Sequence, residues 1–329
     1  MNPQGTISVL VVTKDTPNLL SRLITSILED RELFSEIREL IVVDNGSDLE
    51  TEEIVKRFSI GIKYLRQNRN LGFAKAVNLG ASISTGKYLL LLNSDILLPK
   101  GEILKLKKVM DSYPNIAVSG PSLIYPDGSF QRSYSHVPSL LVEIVPRFVY
   151  EALFTNRSRK LIHSDPLLGQ IFEVESLIGA CLMIRRSTFE RLGGFDERFF
   201  FFFEETDFCL RVKKIEGSCV FVPSCKVIHD QGMTVRKVWV LGRLEYNISL
   251  LKFIRKHYPV WYSNTFVFVR FLKTLLGTLL LLGFFPVTFL SEKRKRILSY
   301  YLRTLFWFLK GLPDDYGLKS LIFKNEYNL

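Results

Sequence analysis

From Ile7 onward the chain alternates short apolar runs with stretches of helical spacing, and nothing else in it constrains the fold as tightly. Ile7–Thr13 (ISVLVVT), Glu39–Val43, Ile62–Arg66 and Lys87–Leu92 read as strands. The first is continuous in β-branched and aliphatic residues, as a strand buried on both faces must be. Leu19–Ile27, Leu49–Phe58, Phe73–Ile83 and Gly101–Met110 carry helical spacing, with Asn18 placed to cap the first. Strand–helix alternation of this kind predicts an α/β fold built on a mostly parallel, doubly wound sheet. Such sheets hold ligands beyond the carboxyl ends of their strands. Asp44 and Asp95 both stand at such ends.

The alternation weakens after Met110. Residues 129–170 mix Pro, aromatic and basic residues and read as an irregular excursion with one helix near 139–154. A strand-like stretch follows from Leu177, then short β segments at Val220–Pro223 and Val227–His229, then a helix over Val238–His257. Within this half lies GGFDERFFFFFEETDFCLR, Gly193 to Arg211. Five phenylalanines, Phe199 to Phe203, predict a buried strand or hairpin arm. The acids after them, Glu204, Glu205 and Asp207, then stand either at the mouth of a core, where a carboxylate is tuned as a base, or at a solvated helix start.

Charge divides the chain. The formal net charge is +11, and residues 231–329 alone hold 16 Lys and Arg against 5 Asp and Glu. A neutral body of residues 1–235 and a basic tail of residues 236–329 are the expected domains. The tail is also the most hydrophobic part: Thr274–Leu290 is uncharged, contains Pro286, and runs into SEKRKR. That run is slightly short of the ~20 apolar residues a spanning helix needs. A short or re-entrant span, helices in the headgroup plane, and a buried helix pair all remain open. Basic residues beside an apolar segment point to an anionic membrane surface and not to nucleic acid. Four cysteines without C-x-x-C spacing, and an N-terminus without a basic region or cleavage signal, point to a reduced, cytoplasmic compartment.

Candidate chemistry gathers at the strand ends. Asn93-Ser94-Asp95 offers oxygen ligands for Mg²⁺ or Mn²⁺, though the same residues suit a turn. His229 can add an imidazole ligand or be structural. Asp44 can accept a hydrogen bond from a nucleobase or ribose, and D-N-G-S is equally a good turn. The first strand-to-helix turn, Thr13 to Pro17, has no glycine, and no G-x-x-x-x-G-K-[ST] loop exists, which disfavours a dehydrogenase or a P-loop nucleotidase.

VVT at 11–13, IVVDNGS at 41–47, NLGFAKAVNLG at 70–80, LLLNSD at 90–95, IGACLMIRR at 178–186, the Gly193–Arg211 stretch and VIHD at 227–230 follow in order. Over about residues 6–257 this series resembles the GT-A fold glycosyltransferases of family 2, in particular a bacterial rhamnosyltransferase-like branch. The resemblance implies that Thr13 and Asp44 meet the donor nucleoside. It implies that Asn70, Gly72, Lys75, Asn78, Ser94, Gly179 and Ala180 lie along the donor, with Lys75 near the diphosphate. Asp95 falls on the last position of the family's metal-binding D-x-D, and His229 on its second metal contact. The family's E-D-x-D falls on Glu204-Glu205-Thr206-Asp207, with Glu205 as the base and Glu204 as the alternative. Asn93 for the first Asp, and Glu for Asp at the base, depart from the family pattern.

The function implied is inverting transfer of a sugar, L-rhamnose from dTDP-L-rhamnose, to a glycan on a polyprenyl-diphosphate lipid at the cytoplasmic face of a bacterial inner membrane. The pKa of Glu205 is expected to be raised by the like charges of Glu204 and Asp207. The rival readings are a UDP-hexose donor on the same fold, and a catalytically inactive membrane-bound assembly partner.

Overall fold

The computed structural model describes residues 2, 4–145, 149–150, 159–166, 168–230, 239–283 and 291–322. Two compact units divide the chain. The first comprises Met1–Val137, Phe154–Glu197 and Glu204–Thr234; the second comprises Pro138–Leu153, Arg198–Phe203 and Val235–Leu329.

The first unit is built on a ten-stranded sheet. Its strands are β1 (Ile7–Thr13), β2 (Ile37–Asp44), β3 (Lys63–Arg66), β4 (Tyr88–Asn93), β5 (Ile96–Leu97), β6 (Ile116–Ile124), β8 (Arg159–Asp165), β9 (Gly169–Val174), β11 (Cys181–Arg185) and β12 (Ser218–His229). The strands β7 (Tyr134–Ser135) and β10 (Ser176–Leu177) pair separately. The order is β3-β2-β1-β4-β11-β6-β12-β9-β8, with β5 paired to β12. β1 runs parallel to β2 and β4, and β6 parallel to β12, while β11 is antiparallel to β4 and β6. The mostly parallel sheet expected from the alternation is present.

Burial explains the apolar runs. Val9, Val11, Leu90 and Leu92 enter one core cluster, whereas Leu10, Leu89 and Leu91 enter the other. Successive residues of a strand point to opposite faces, so a sheet covered on both sides needs an unbroken apolar run. Helices α1 (Pro17–Glu29), α2 (Arg31–Glu36), α3 (Leu49–Lys56), α4 (Phe73–Ser82) and α5 (Glu102–Ser112) intervene between the strands.

Four expectations need correction. Asn18 does not cap α1: Thr16 is the N-cap and Pro17 opens the helix, where its missing N–H is harmless. The end of the 129–170 stretch enters an antiparallel hairpin, β8–β9, whose register runs from Arg159↔Val174 to Asp165↔Gly169. The two last β segments are one strand, β12, with a register shift between Val222 and Lys226 that absorbs Pro223. The phenylalanine run is not a strand. Phe202 and Phe203 have φ of 70° and 68°, a left-handed conformation incompatible with a β ladder.

The second unit contains the helices α6 (Leu140–Ile144), α9 (Trp239–His257), α10 (Val260–Gly283) and α11 (Glu292–Leu309). The remainder of the helix expected over 139–154 falls largely outside the described residues, as does Pro286 with the end of the apolar run. Phe203 packs on Tyr246 and Phe253 of α9, and Ser249 Oγ donates to Phe201 O at 2.8 Å. The phenylalanine run is thus spent on helix packing. α10 and α11 run antiparallel, since Phe271 meets Phe308 while Gly277 leaves room for the Tyr301 ring.

Candidate active site

Sheet register sets the carboxyl edge. Thr13 is level with Asp44, and Val12 with Asn93, so the ends of β1, β2 and β4 form one row. β11 runs the other way and begins at this edge: Asn93 N donates to Ala180 O at 2.9 Å. Gly179 and Ala180 therefore arrive beside Asn93-Ser94-Asp95.

Asp95 and His229 meet. β5 pairs with the end of β12, placing His229 Nε2 3.3 Å from Asp95 Oδ1, while Asp230 N donates to Asp95 O at 3.0 Å. His229 is 5 % exposed, and its Nδ1 lies 2.8 Å from Gln131 Oε1. An amide oxygen only accepts, so the Gln131 contact calls for a proton on Nδ1 and leaves Nε2 as the ring nitrogen that faces Asp95. Gln131 was not singled out from sequence, because no pattern links residue 131 to residue 229. One carboxylate oxygen and one imidazole nitrogen, oriented from behind, fit a divalent cation that takes its other ligands from a diphosphate. Among the described residues no group of three or more His, Cys, Asp or Glu gathers.

Glu205 lies in the first turn of α8 (Glu204–Lys214), after α7 (Arg186–Arg191) in chain order. Its Oε2 is buried without a hydrogen-bond partner. Burial pushes its carboxyl up to about 7, against partial opposition from hydrogen bonding to its own backbone and to Thr206. Desolvation, not the like charge expected from Glu204 and Asp207, is the cause. A Cβ at Gly179 would stand 3.5 Å from Glu205 Cγ, ordinary van der Waals contact, so the strand-end backbone runs beside this side chain. Glu204 is 4 % exposed. Asp207 is fully buried and accepts from Arg211 Nε at 2.8 Å; Arg211 also donates to Leu192 O and Gly194 O. Asp207 thus anchors the Gly193-Gly194 turn.

The remaining candidates divide between the edge and the scaffold. Thr13 Oγ1 is 3.0 Å from Thr16 Oγ1, which is 2.8 Å from Ser94 Oγ, a chain of hydroxyls leading to Asp95. Asp44 is fully buried and already occupied: Oδ1 accepts from Ser47 N at 2.8 Å, and Oδ2 accepts from Tyr64 OH. Asn70 is held near it, since Asn45 Nδ2 donates to Asn70 Oδ1 at 2.8 Å and to Gly72 O at 3.3 Å. Gly72 has φ of 86° and opens α4. Lys75 is exposed in the first turn of that helix. Asn78 faces elsewhere: its amide accepts from Phe195 N at 2.8 Å and donates to Phe195 O at 2.8 Å and Glu197 Oε1 at 3.1 Å.

Sheet order and solved neighbours define a GT-A glycosyltransferase fold. A mannosyltransferase from Pyrobaculum calidifontis, solved with GDP-Man and Mn²⁺, superposes with a TM-score of 0.55 at 14 % identity, covering 92 % of this chain and 86 % of that one. The profile of glycosyl transferase family 2 matches residues 8–193, more than half of the chain, and the protein belongs to that family. Among relatives, it is 29 % identical over 211 residues to the N-acetylglucosaminyl-diphospho-decaprenol L-rhamnosyltransferase of Mycobacterium tuberculosis, covering 58 % of this chain. That match spans 66 % of the relative's length. It is 25 % identical to the dTDP-rhamnosyl transferase RfbF of Shigella flexneri over 246 residues, 72 % of this chain and 74 % of that one.

Proposed function

We propose that the protein transfers L-rhamnose from dTDP-L-rhamnose, with inversion, to a lipid-linked glycan during surface polysaccharide synthesis. The observation that carries the catalytic part is Glu205: a half-buried residue whose carboxylate has one buried, unpartnered oxygen and a pKa pushed up to about 7, beside Gly179 at the strand edge that also holds Asp95 and His229. The rhamnosyl donor and lipid acceptor are supported by the activities for which the relatives are named.

In this mechanism Glu205 takes the proton of the acceptor hydroxyl as that oxygen forms its bond to the anomeric carbon. The nucleoside diphosphate leaves from the opposite face, so one carboxylate suffices and the anomeric configuration inverts. Asp95 Oδ1 and His229 Nε2 would hold Mg²⁺ or Mn²⁺, which supplies positive charge where the leaving diphosphate gathers negative charge. Gln131 keeps His229 in the ligating tautomer. Lys75 is free to approach a diphosphate, and Thr13 with the Asp44–Asn70 turn borders the nucleoside. Catalysis belongs to the first unit on this reading. Attachment to an anionic membrane surface, at the cytoplasmic face, belongs to the second.

Calorimetric titration with dTDP, UDP and GDP, each with and without Mn²⁺, tests the reading. Metal-dependent preference for dTDP is expected. Preference for UDP would keep fold and mechanism but overturn the rhamnosyl donor, and no binding to any of the three would overturn the enzymatic reading.

A further inference from the structure

The longest apolar helix of the chain carries two cations near its middle, Arg270 and Lys273, and both are paired within the second unit. Glu143 of α6 accepts from Arg270 Nη1 at 2.7 Å and from Lys273 Nζ at 3.1 Å. Arg270 Nη2 donates to Asn247 of α9, whose own amide donates to Tyr300 OH of α11 at 3.1 Å. Ser263, Phe266, Thr274 and Thr278 continue the same buried side of α10. Its other side is exposed and mainly apolar, interrupted by Thr265. Trp261, Phe268, Leu272, Leu276 and Leu280 recur at helical spacing, and all but Leu272 are more than half exposed. Between Phe268, Phe271, Phe308 and Leu309 lies an apolar groove of about 380 Å³.

By length, α10 qualifies as a span: 24 residues rise about 36 Å, and a bilayer core is about 30 Å thick. Two features oppose a crossing. First, the Glu143–Arg270–Asn247 cluster would lie near mid-membrane together with α9, which exposes Arg243 and Arg255. Second, α11 returns along α10 and begins with exposed Lys293, Arg294, Lys295 and Arg296. A span would carry that cluster to the far side, against the preference that keeps basic flanks on the cytoplasmic side. A helix polar and paired on one side, apolar on the other, and followed by a basic cluster is suited to the headgroup–acyl boundary.

We propose that α10 lies in the plane of an anionic lipid leaflet without crossing it. Its Trp261–Leu280 face enters the acyl region, and Lys293–Arg296 sit on the headgroups. The inference deepens the lipid-acceptor reading above and rests on it for its purpose. Its test involves no sugar transfer, so the two fail separately.

The test is flotation of the purified full chain with phosphatidylcholine vesicles, with and without about a quarter phosphatidylglycerol. The protein should float with the anionic vesicles. The exposed-face variant Leu276→Glu/Leu280→Glu should lower that partition at least ~10-fold with an unchanged circular dichroism spectrum and melting temperature. Arg294→Gln/Arg296→Gln should weaken binding to anionic vesicles several-fold while leaving binding to neutral ones unaltered. An alkaline carbonate wash should strip the wild-type protein from cell membranes. Absence of binding to anionic vesicles, indifference to the leucine changes, or retention through the carbonate wash would each overturn the proposal.

Discussion

Glu205 is costly to bury as an anion, and under the proposed mechanism that cost suits it to take a proton. With its carboxyl raised to about 7, turnover should climb as pH rises through about 7 and then level off, because only the deprotonated form accepts the acceptor proton. The same shift acts on stability in the opposite sense. Between the ordinary value of 4.5 and about 7, the folded protein holds a proton that the unfolded chain has released, so this group's contribution makes stability fall as pH rises across that window. Glu205→Gln should therefore abolish transfer, leave nucleotide binding intact, and raise stability at pH 8 by about 1–2 kcal/mol; activity, calorimetry and urea unfolding measure the three effects. A variant that still turns over would remove Glu205 from the mechanism. Gln131 offers a second test. Gln131→Leu should weaken Mn²⁺ binding about 10-fold in the presence of nucleoside diphosphate, read by calorimetry, because His229 is then free to adopt the wrong tautomer.

Asn78 separates donor contact from scaffold at the level of elements. It joins α4 to the Gly194-Phe195 turn, where Gly194 has φ of 74° and a Cβ would come 2.5 Å from the Asn78 oxygen. Asn78→Ala strands the Phe195 N–H and C=O and should cost about 1–3 kcal/mol in urea unfolding, with donor affinity changed little. A large loss of donor affinity at unchanged stability would return Asn78 to the donor. The parallel core of the sheet was legible from sequence because two-sided burial leaves unbroken Val, Ile and Leu runs. The β8–β9 hairpin was not, because β8 is largely exposed and its residues show little apolar contrast. The phenylalanine run misled for a related reason: composition records five apolar rings, not that the run turns through a left-handed bend onto a helix with Phe201 and Phe202 only partly buried. The Asp95–His229 pair was suggested by family resemblance. Its partner Gln131 is reached because the chain after β6 folds back onto Leu123, beside the end of β12, and no local pattern announces that encounter.

At the scale of the molecule, the second unit gathers three separated stretches of chain. Removing residues 260–329 would strip α10 and α11 from α9, a helix that buries Leu244, Ile248, Phe253 and Ile254. Such a truncation should aggregate or melt lower than the full chain, as size-exclusion chromatography and thermal unfolding would record. Its loss from membranes would then say little about attachment, which is why single-face leucine variants make the sharper comparison. Glu245, fully buried in the same helix, strengthens the point. Burial raises its carboxyl to about 7, and a Cβ at Gly317 would clash with it. The second unit should accordingly lose stability as pH rises from about 4.5 to 7, and Glu245→Gln should flatten that dependence.

The Asp95–His229 pair has a consequence for the order of events. Two protein ligands make a weak resting place for a hard cation, whose affinity grows with the number of ligands around it. The chain should therefore purify without tightly held metal, recover fully from chelation when Mg²⁺ is returned with nucleotide, and bind neither partner strongly alone. An enzyme working as proposed would gain its cation and its donor in one step, and its affinity for each would be set by the cellular supply of the other.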